Sequence, residues 1–121
     1  MVMEATKENF ADIIDNNDIV VVDFWAPWCG PCKSFAPIFE AAAETHKDSA
    51  AFVKVNTEEE QELAAHFQIR SIPTLMVFRE QIVVFAQPGV LPESALAKLL
   101  EEVKALDMDD VRREIAQQKA S

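Results

Sequence analysis

The feature that most constrains this chain is the run Ile19-Val20-Val21-Val22-Asp23-Phe24-Trp25, apolar throughout except at Asp23. Strict alternation would mark a strand with one wet face, whereas an unbroken apolar run marks a strand buried on both faces. Elements must therefore cover the sheet on either side. The run continues into Ala26-Pro27-Trp28-Cys29-Gly30-Pro31-Cys32-Lys33, which carries both cysteines of the chain. A strand emptying into a helix puts Cys29 at the helix start, where unpaired backbone N–H groups and the macrodipole favour a thiolate. Cys32 lies one turn further in on the same side, close enough to form a disulfide and too sheltered to attack a large partner first. Cys29 is read as the nucleophile and Cys32 as the resolving thiol.

Two other uses of the pair are weaker. A four-residue disulfide loop constrains the unfolded chain little, and 121 residues can bury a core without a staple. Zinc normally takes four ligands, but there is no second cysteine pair, and His46 and His66 fall on separate predicted helices away from the motif. No metal ligands are assigned; both histidines read as solvated. Acidic residues outnumber basic ones 21 to 11, for a net charge of −10, which opposes binding to nucleic acid or to anionic membranes. The N-terminal residues have neither a basic start nor an apolar core, so they do not read as a signal peptide, and no transmembrane span is evident. A cytoplasmic location is the resulting expectation, and there a C-x-x-C is more often catalytic than structural.

Periodicity gives the order of elements. Val2 to Ala5 reads as an edge strand, followed by a helix from about Lys7, capped by Thr6, with Phe10, Ile13 and Ile14 inward. After the central strand, the helix begun at Cys29 buries Phe35, Ile38, Phe39 and Ala42. Ala51 to Asn56 is a second inner strand. Glu58 to Phe67 reads as a helix with Leu63, Ala64 and Phe67 inward, its leading glutamates suiting the helix dipole. Thr74 to Arg79 then pairs with Ile82 to Gln87, and Glu93 to Leu106 forms an amphipathic helix on Leu96, Leu99, Leu100 and Val103. The sum is an α/β fold, a central mixed β-sheet flanked by helices on both faces.

Asp23 is the residue that packing explains least. A carboxylate inside the buried run loses water, so its pKa should rise and make it a proton acceptor near neutrality. Its strand lies below the helix of Cys29, which makes the Cys32 thiol the natural donor. The alternatives are a solvated aspartate at a strand bend or one paired permanently with Lys54.

The segment Val22-Asp23-Phe24-Trp25-Ala26-Pro27-Trp28-Cys29-Gly30-Pro31-Cys32-Lys33 resembles the active-site segment of the thioredoxin family. Ile69-Arg70-Ser71-Ile72-Pro73-Thr74-Leu75 is similar to that family's cis-proline loop, Lys54 sits where the family has a lysine near its buried aspartate, and Gly89 matches a glycine beside the substrate groove. The similarity runs from about Val2 to Leu106. It implies the thioredoxin fold, a cis Ile72–Pro73 bond facing the cysteines, and Lys54 as the partner of Asp23. It also implies an apolar client-binding rim of Trp28, Ile72, Pro73, Gly89 and Val90 around Gly30 and Pro31.

By the same resemblance the activity is protein-disulfide reduction through a Cys29–Cys32 redox disulfide. No cofactor is bound. Reducing equivalents come from NADPH through a separate flavoprotein, thioredoxin reductase, and the other partners are disulfide-containing client proteins. A monomer is expected. The competing functions are a redox-gated binding or scaffold subunit and a disulfide isomerase, although Gly30-Pro31 resembles the reducing members more than the oxidising ones.

Four departures from the family pattern stand out. Arg79-Glu80-Gln81-Ile82 contains no glycine, which favours a type I turn with a bulge or a longer loop over a primed two-residue turn. Pro88 stiffens the loop before Gly89, and Ser71 replaces a common glycine. Finally, the chain divides into a domain at 1–106 and a helical extension at 107–121. In the extension Asp107-Met108-Asp109-Asp110 resembles a cap and acidic first turn, and Val111 and Ile115 give a thin apolar stripe. Two apolar positions cannot hold a helix alone, so it docks or frays.

Overall fold

The computed structural model describes residues 2–120; Met1 and Ser121, the outermost residues of the two segments proposed from sequence, lie outside the described residues. The elements are β1 (Val2–Glu4), α1 (Phe10–Asn16), β2 (Ile19–Trp25), α2 (Gly30–Thr45), β3 (Ala51–Asn56), α3 (Gln61–His66), β4 (Thr74–Arg79), β5 (Ile82–Pro88), α4 (Glu93–Ala105) and α5 (Met108–Ala120). The strands form one mixed sheet in the order β1-β3-β2-β4-β5. The β1–β3 and β3–β2 pairs are parallel, and the β2–β4 and β4–β5 pairs antiparallel.

Strand β2 sits at the centre of the sheet and is buried on both faces, as its composition requires. Alternate residues serve opposite layers. Ile19 and Val21 join Phe35, Phe39, Leu96 and Leu100 under α2 and α4, whereas Val20, Val22 and Phe24 join Phe10, Ile13 and Ile14 of α1, with Phe67 at the edge. Each fully buried side chain of this size contributes about 1.5–3 kcal/mol of transfer free energy. By the same alternation Asp23 and Trp25 belong to the α2 face. Phe52 on β3 packs in that layer too, so Lys54, two residues on, shares the face and lies directly opposite Asp23.

Three local expectations are corrected. Helix α1 begins at Phe10 rather than near Lys7, and Thr6 does not cap it. Instead Asn9 folds back, its Oδ1 accepting the Thr6 N–H at 2.7 Å, and holds the intervening residues in a turn. Helix α3 starts at Gln61 rather than Glu58 because Asn56 Oδ1 accepts the N–H groups of Glu58 (3.0 Å) and Glu59 (3.3 Å). An Asx turn outcompetes the first helical turn there.

The third correction is the hairpin, which closes on two residues after all. Arg79 pairs with Ile82, and Glu80 (φ 50°) and Gln81 (φ 71°) are both left-handed, the signature of a primed turn. Each costs about 1–2 kcal/mol without glycine. The surroundings hold it: Glu80 N–H donates to Asp18 O at 2.8 Å, and Arg112 of α5 meets the Glu80 carboxylate at 2.7 Å. The bulge lies inside the ladder, where the register shifts between Val77 and Phe78.

Helix α5 is capped as its sequence suggests, Asp107 accepting the N–H groups of Asp109 and Asp110 at 3.0 and 3.2 Å, and Met108 is buried. Arg79 secures the junction before it. Its Nη1 donates to the carbonyls of Val103 (2.7 Å), Lys104 (3.1 Å) and Leu106 (2.8 Å), satisfying the end of α4.

Candidate active site

Gly30 and Pro31 open α2, with Pro31 in the first turn, where a missing N–H costs nothing. This leaves Cys29 as the N-cap in an extended conformation, its sulfur accepting the Cys32 N–H at 3.2 Å. The two sulfurs are joined in a disulfide, the Cα atoms 5.2 Å apart. A backbone N–H aimed at the Cys29 sulfur at a helix start is the arrangement that stabilises a thiolate once the bond is reduced. Exposure does not separate the two cysteines as the sequence suggests: Cys29 is 4% exposed and Cys32 3%. Both lie under the same cover, with Ala26, Trp25 and Ile72 packed around them. What distinguishes them is position, Cys29 at the cap and Cys32 within the helix.

The Ile72–Pro73 bond is cis, and Ile72 O lies 3.8 Å from the Cys29 sulfur. No backbone–backbone hydrogen bond to Ile72 is found among the described residues. The loop is held from both sides, by Thr74 Oγ1 donating to Ser71 O at 2.6 Å and Gly89 N–H donating to Pro73 O at 2.8 Å. Gly89 has φ 104°, which other residues rarely adopt, although a Cβ there would meet no atom within 4 Å. The rim differs in detail from the expectation. Trp28 is 66% exposed and Val90, Gly89, Gly30 and Pro31 are exposed, but Ile72 is half-buried and Pro73 is buried.

Asp23 shares its β2 face with Trp25, which packs against the cysteine pair. Asp23 is 4% exposed, its Oδ1 has no hydrogen-bond partner, and burial pushes its pKa up to about 7, with the Lys54 ammonium offsetting part of the rise. Lys54 stands opposite in the ladder, yet its Nζ rests over the Trp25 ring, 4.9 Å from the centroid, and no Asp23–Lys54 ion pair is found among the described residues. Lys54 thus acts on Asp23 through space rather than through a direct ion pair. Trp25 Nε1 is likewise buried without a partner.

Sequence reasoning misses two polar residues. Periodicity assigns Glu58 to the start of a helix, but its carboxylate accepts the Trp28 Nε1–H. Asn56 directly after a strand, followed by polar residues, is the available signal for a turn there. Arg79 reads only as a strand end, and nothing local announces its carbonyl partners. Among the described residues no group of three His, Cys, Asp or Glu is placed to hold a metal ion, and no helix is long and apolar enough to cross a membrane.

A joined cysteine pair capping a helix over a mixed sheet defines a class of thiol–disulfide exchange proteins. The family model described as Thioredoxin matches residues 1–102. The chain is 54% identical over 118 residues to a Streptomyces coelicolor protein named as a candidate thioredoxin 2, covering 98% of this chain and 87% of the relative. It is 43% identical over 102 residues to a thioredoxin of Porphyra purpurea, covering 84% and 95%. Among solved structures, a mutant thioredoxin from Halobacterium salinarum superposes with a TM-score of 0.81 at 34% identity, over 88% of this chain and 93% of that one. The chain belongs to the thioredoxin family. It is a thiol–disulfide oxidoreductase with Cys29–Cys32 as its redox pair.

Proposed function

We propose that the protein reduces disulfides in client proteins of the cytoplasm. The Cys29 thiolate attacks one client sulfur, forming a mixed disulfide and releasing the other as a thiolate. Cys32 gives its proton to Asp23, and the resulting thiolate attacks the Cys29 sulfur. The second client sulfur leaves, and two electrons have passed to the client while Cys29 and Cys32 end joined. The observation that carries this reading is the pairing of a capped Cys29 sulfur with a buried Asp23 on the face that α2 covers, its pKa raised to about 7.

Lys54 acts as the Asp23 partner through space, moderating rather than cancelling the rise. Trp28, Ile72, Gly89 and Val90, with Gly30 and Pro31, form the client-binding lip, and Pro73 adjoins it. The protein binds no cofactor; NADPH supplies electrons through a separate flavoprotein, thioredoxin reductase. It works as a monomer, with residues 1–106 as the redox domain and 107–121 as an extension dispensable for the chemistry. The charge of −10 supports a role away from nucleic acids and membrane surfaces.

The test is the division of labour between the cysteines. Cys29→Ser should abolish insulin reduction, whereas Cys32→Ser should still attack and accumulate mixed disulfides with clients. Faster alkylation of Cys32 than of Cys29 in the reduced protein would overturn the assignment. The potential of the pair against glutathione separates the competing activities: a value typical of thioredoxins, about −270 mV, agrees with a reductase, and one near about −180 mV with an isomerase.

A further inference from the structure

Trp28 is the most exposed of the large apolar side chains at the lip, and an exposed indole ordinarily samples several rotamers. Here it does not stand free. Its Nε1–H is bonded to the Glu58 carboxylate, contributed by the connection between β3 and α3. That connection is itself anchored. Asn56, buried at the end of β3, accepts the Glu58 N–H at 3.0 Å, and Thr57 donates to Trp25 O through both its N–H (2.8 Å) and its Oγ1 (3.1 Å). A hydrogen-bonded path thus runs from the sheet to the indole of the residue that precedes Cys29.

The neighbouring charges leave Glu58 for the indole. Lys7 pairs with Glu62 at 3.6 Å, and its backbone N–H donates to Glu60 at 2.9 Å. No cation pairs with Glu58 among the described residues. Glu58 also lies outside α3, so the helix dipole does not account for it. We propose that Glu58 is a positioning residue for client recognition, fixing the Trp28 ring in one orientation at the lip of the dithiol. The inference rests on the reading of Trp28 as a client contact. A ring held before the client arrives need not lose its rotamer freedom on binding, so the gain falls on affinity rather than on the exchange step.

The experiment is steady-state reduction of insulin with dithiothreitol as the recycling reductant. Glu58→Ala should raise KM for insulin about 2- to 10-fold, the ordering cost of one such side chain, and leave kcat within about twofold. Glu58→Gln, which keeps a side-chain oxygen as acceptor, should restore most of the parental KM. The Trp28 indole 15N–1H resonance, assigned by its loss in Trp28→Phe, should shift in the Ala variant and return toward the parental position in the Gln variant. A parental KM in Glu58→Ala alongside a raised KM in Trp28→Ala would overturn the role of Glu58 alone. A parental KM in Trp28→Ala would overturn the client-contact reading beneath it. Equal losses of kcat in the Ala and Gln variants would show that the carboxylate matters for something other than ring placement.

Discussion

Asp23 and Arg79 are both charged side chains enclosed by the same sheet, and they are treated in opposite ways. At the cysteine end Asp23 is almost wholly covered, has an oxygen without a partner, and faces a lysine that stacks on Trp25 instead of bonding to it. At the far end of the β2–β4 ladder, Arg79 gives Nη1 to three carbonyls and lies within 4 Å of the Asp18 and Glu80 carboxylates, though its Nε makes no hydrogen bond. A buried ion left unpaired shifts its pKa toward the neutral form; one that is surrounded stays charged and fastens the chain. In the proposed mechanism the first group must change its charge during the reaction, and the second has no need to.

The largest effect expected to sharpen this contrast is in the pH dependence of stability. A folded pKa of about 7, raised from 3.8, means that the native state holds the Asp23 proton more tightly than the unfolded chain. Stability from this group is complete below pH 4 and is lost as the pH rises through 7, by up to about 4 kcal/mol in total. Relative to the parent, Asp23→Asn should therefore gain up to about 4 kcal/mol between pH 4 and pH 8 in chemical denaturation. A difference that stays flat across that window would make Asp23 a satisfied ion like Arg79.

At the other end the sign reverses and the pH dependence vanishes. Arg79→Ala should cost about 2–4 kcal/mol, since three helix-terminal carbonyls lose a charged donor, and the loss should be the same at pH 5 and pH 8. A cost below about 0.5 kcal/mol would reduce the clamp to an ordinary surface contact. The smallest expected effect belongs to the turn beside it. Gln81→Gly should raise stability by about 0.5–1 kcal/mol, the relief of a left-handed side-chain residue less the entropy glycine adds to the unfolded chain. A net loss by thermal denaturation would mean that the Gln81 side chain does more in the hairpin than its backbone shows.

The same contrast explains what the sequence disclosed. The apolar run of β2, the three-residue spacing of Cys29 and Cys32, and a lone aspartate among valines are local patterns, and each carries its physical meaning within a few residues. The burial of β2 on both faces and the burial of Asp23 follow from them. What stayed hidden depends on partners distant in sequence. Glu80 and Gln81 adopt a primed turn because Asp18 and Arg112 hold Glu80, 62 and 32 residues away, and Glu58 reaches Trp28 across 30 residues. The late starts of α1 and α3 have a closer cause, the side chains of Asn9 and Asn56 competing for backbone N–H groups, which apolar periodicity does not register.

In the proposed mechanism Asp23 takes its proton from Cys32. Single-turnover release of a client from its Cys29 mixed disulfide, followed from pH 5 to pH 9, measures that step. The parent should release faster as the pH rises through about 7, where Asp23 ionises, and Asp23→Asn should lose that inflection and release more slowly near neutrality. Identical profiles and rates in the two proteins would contradict the proton-transfer role.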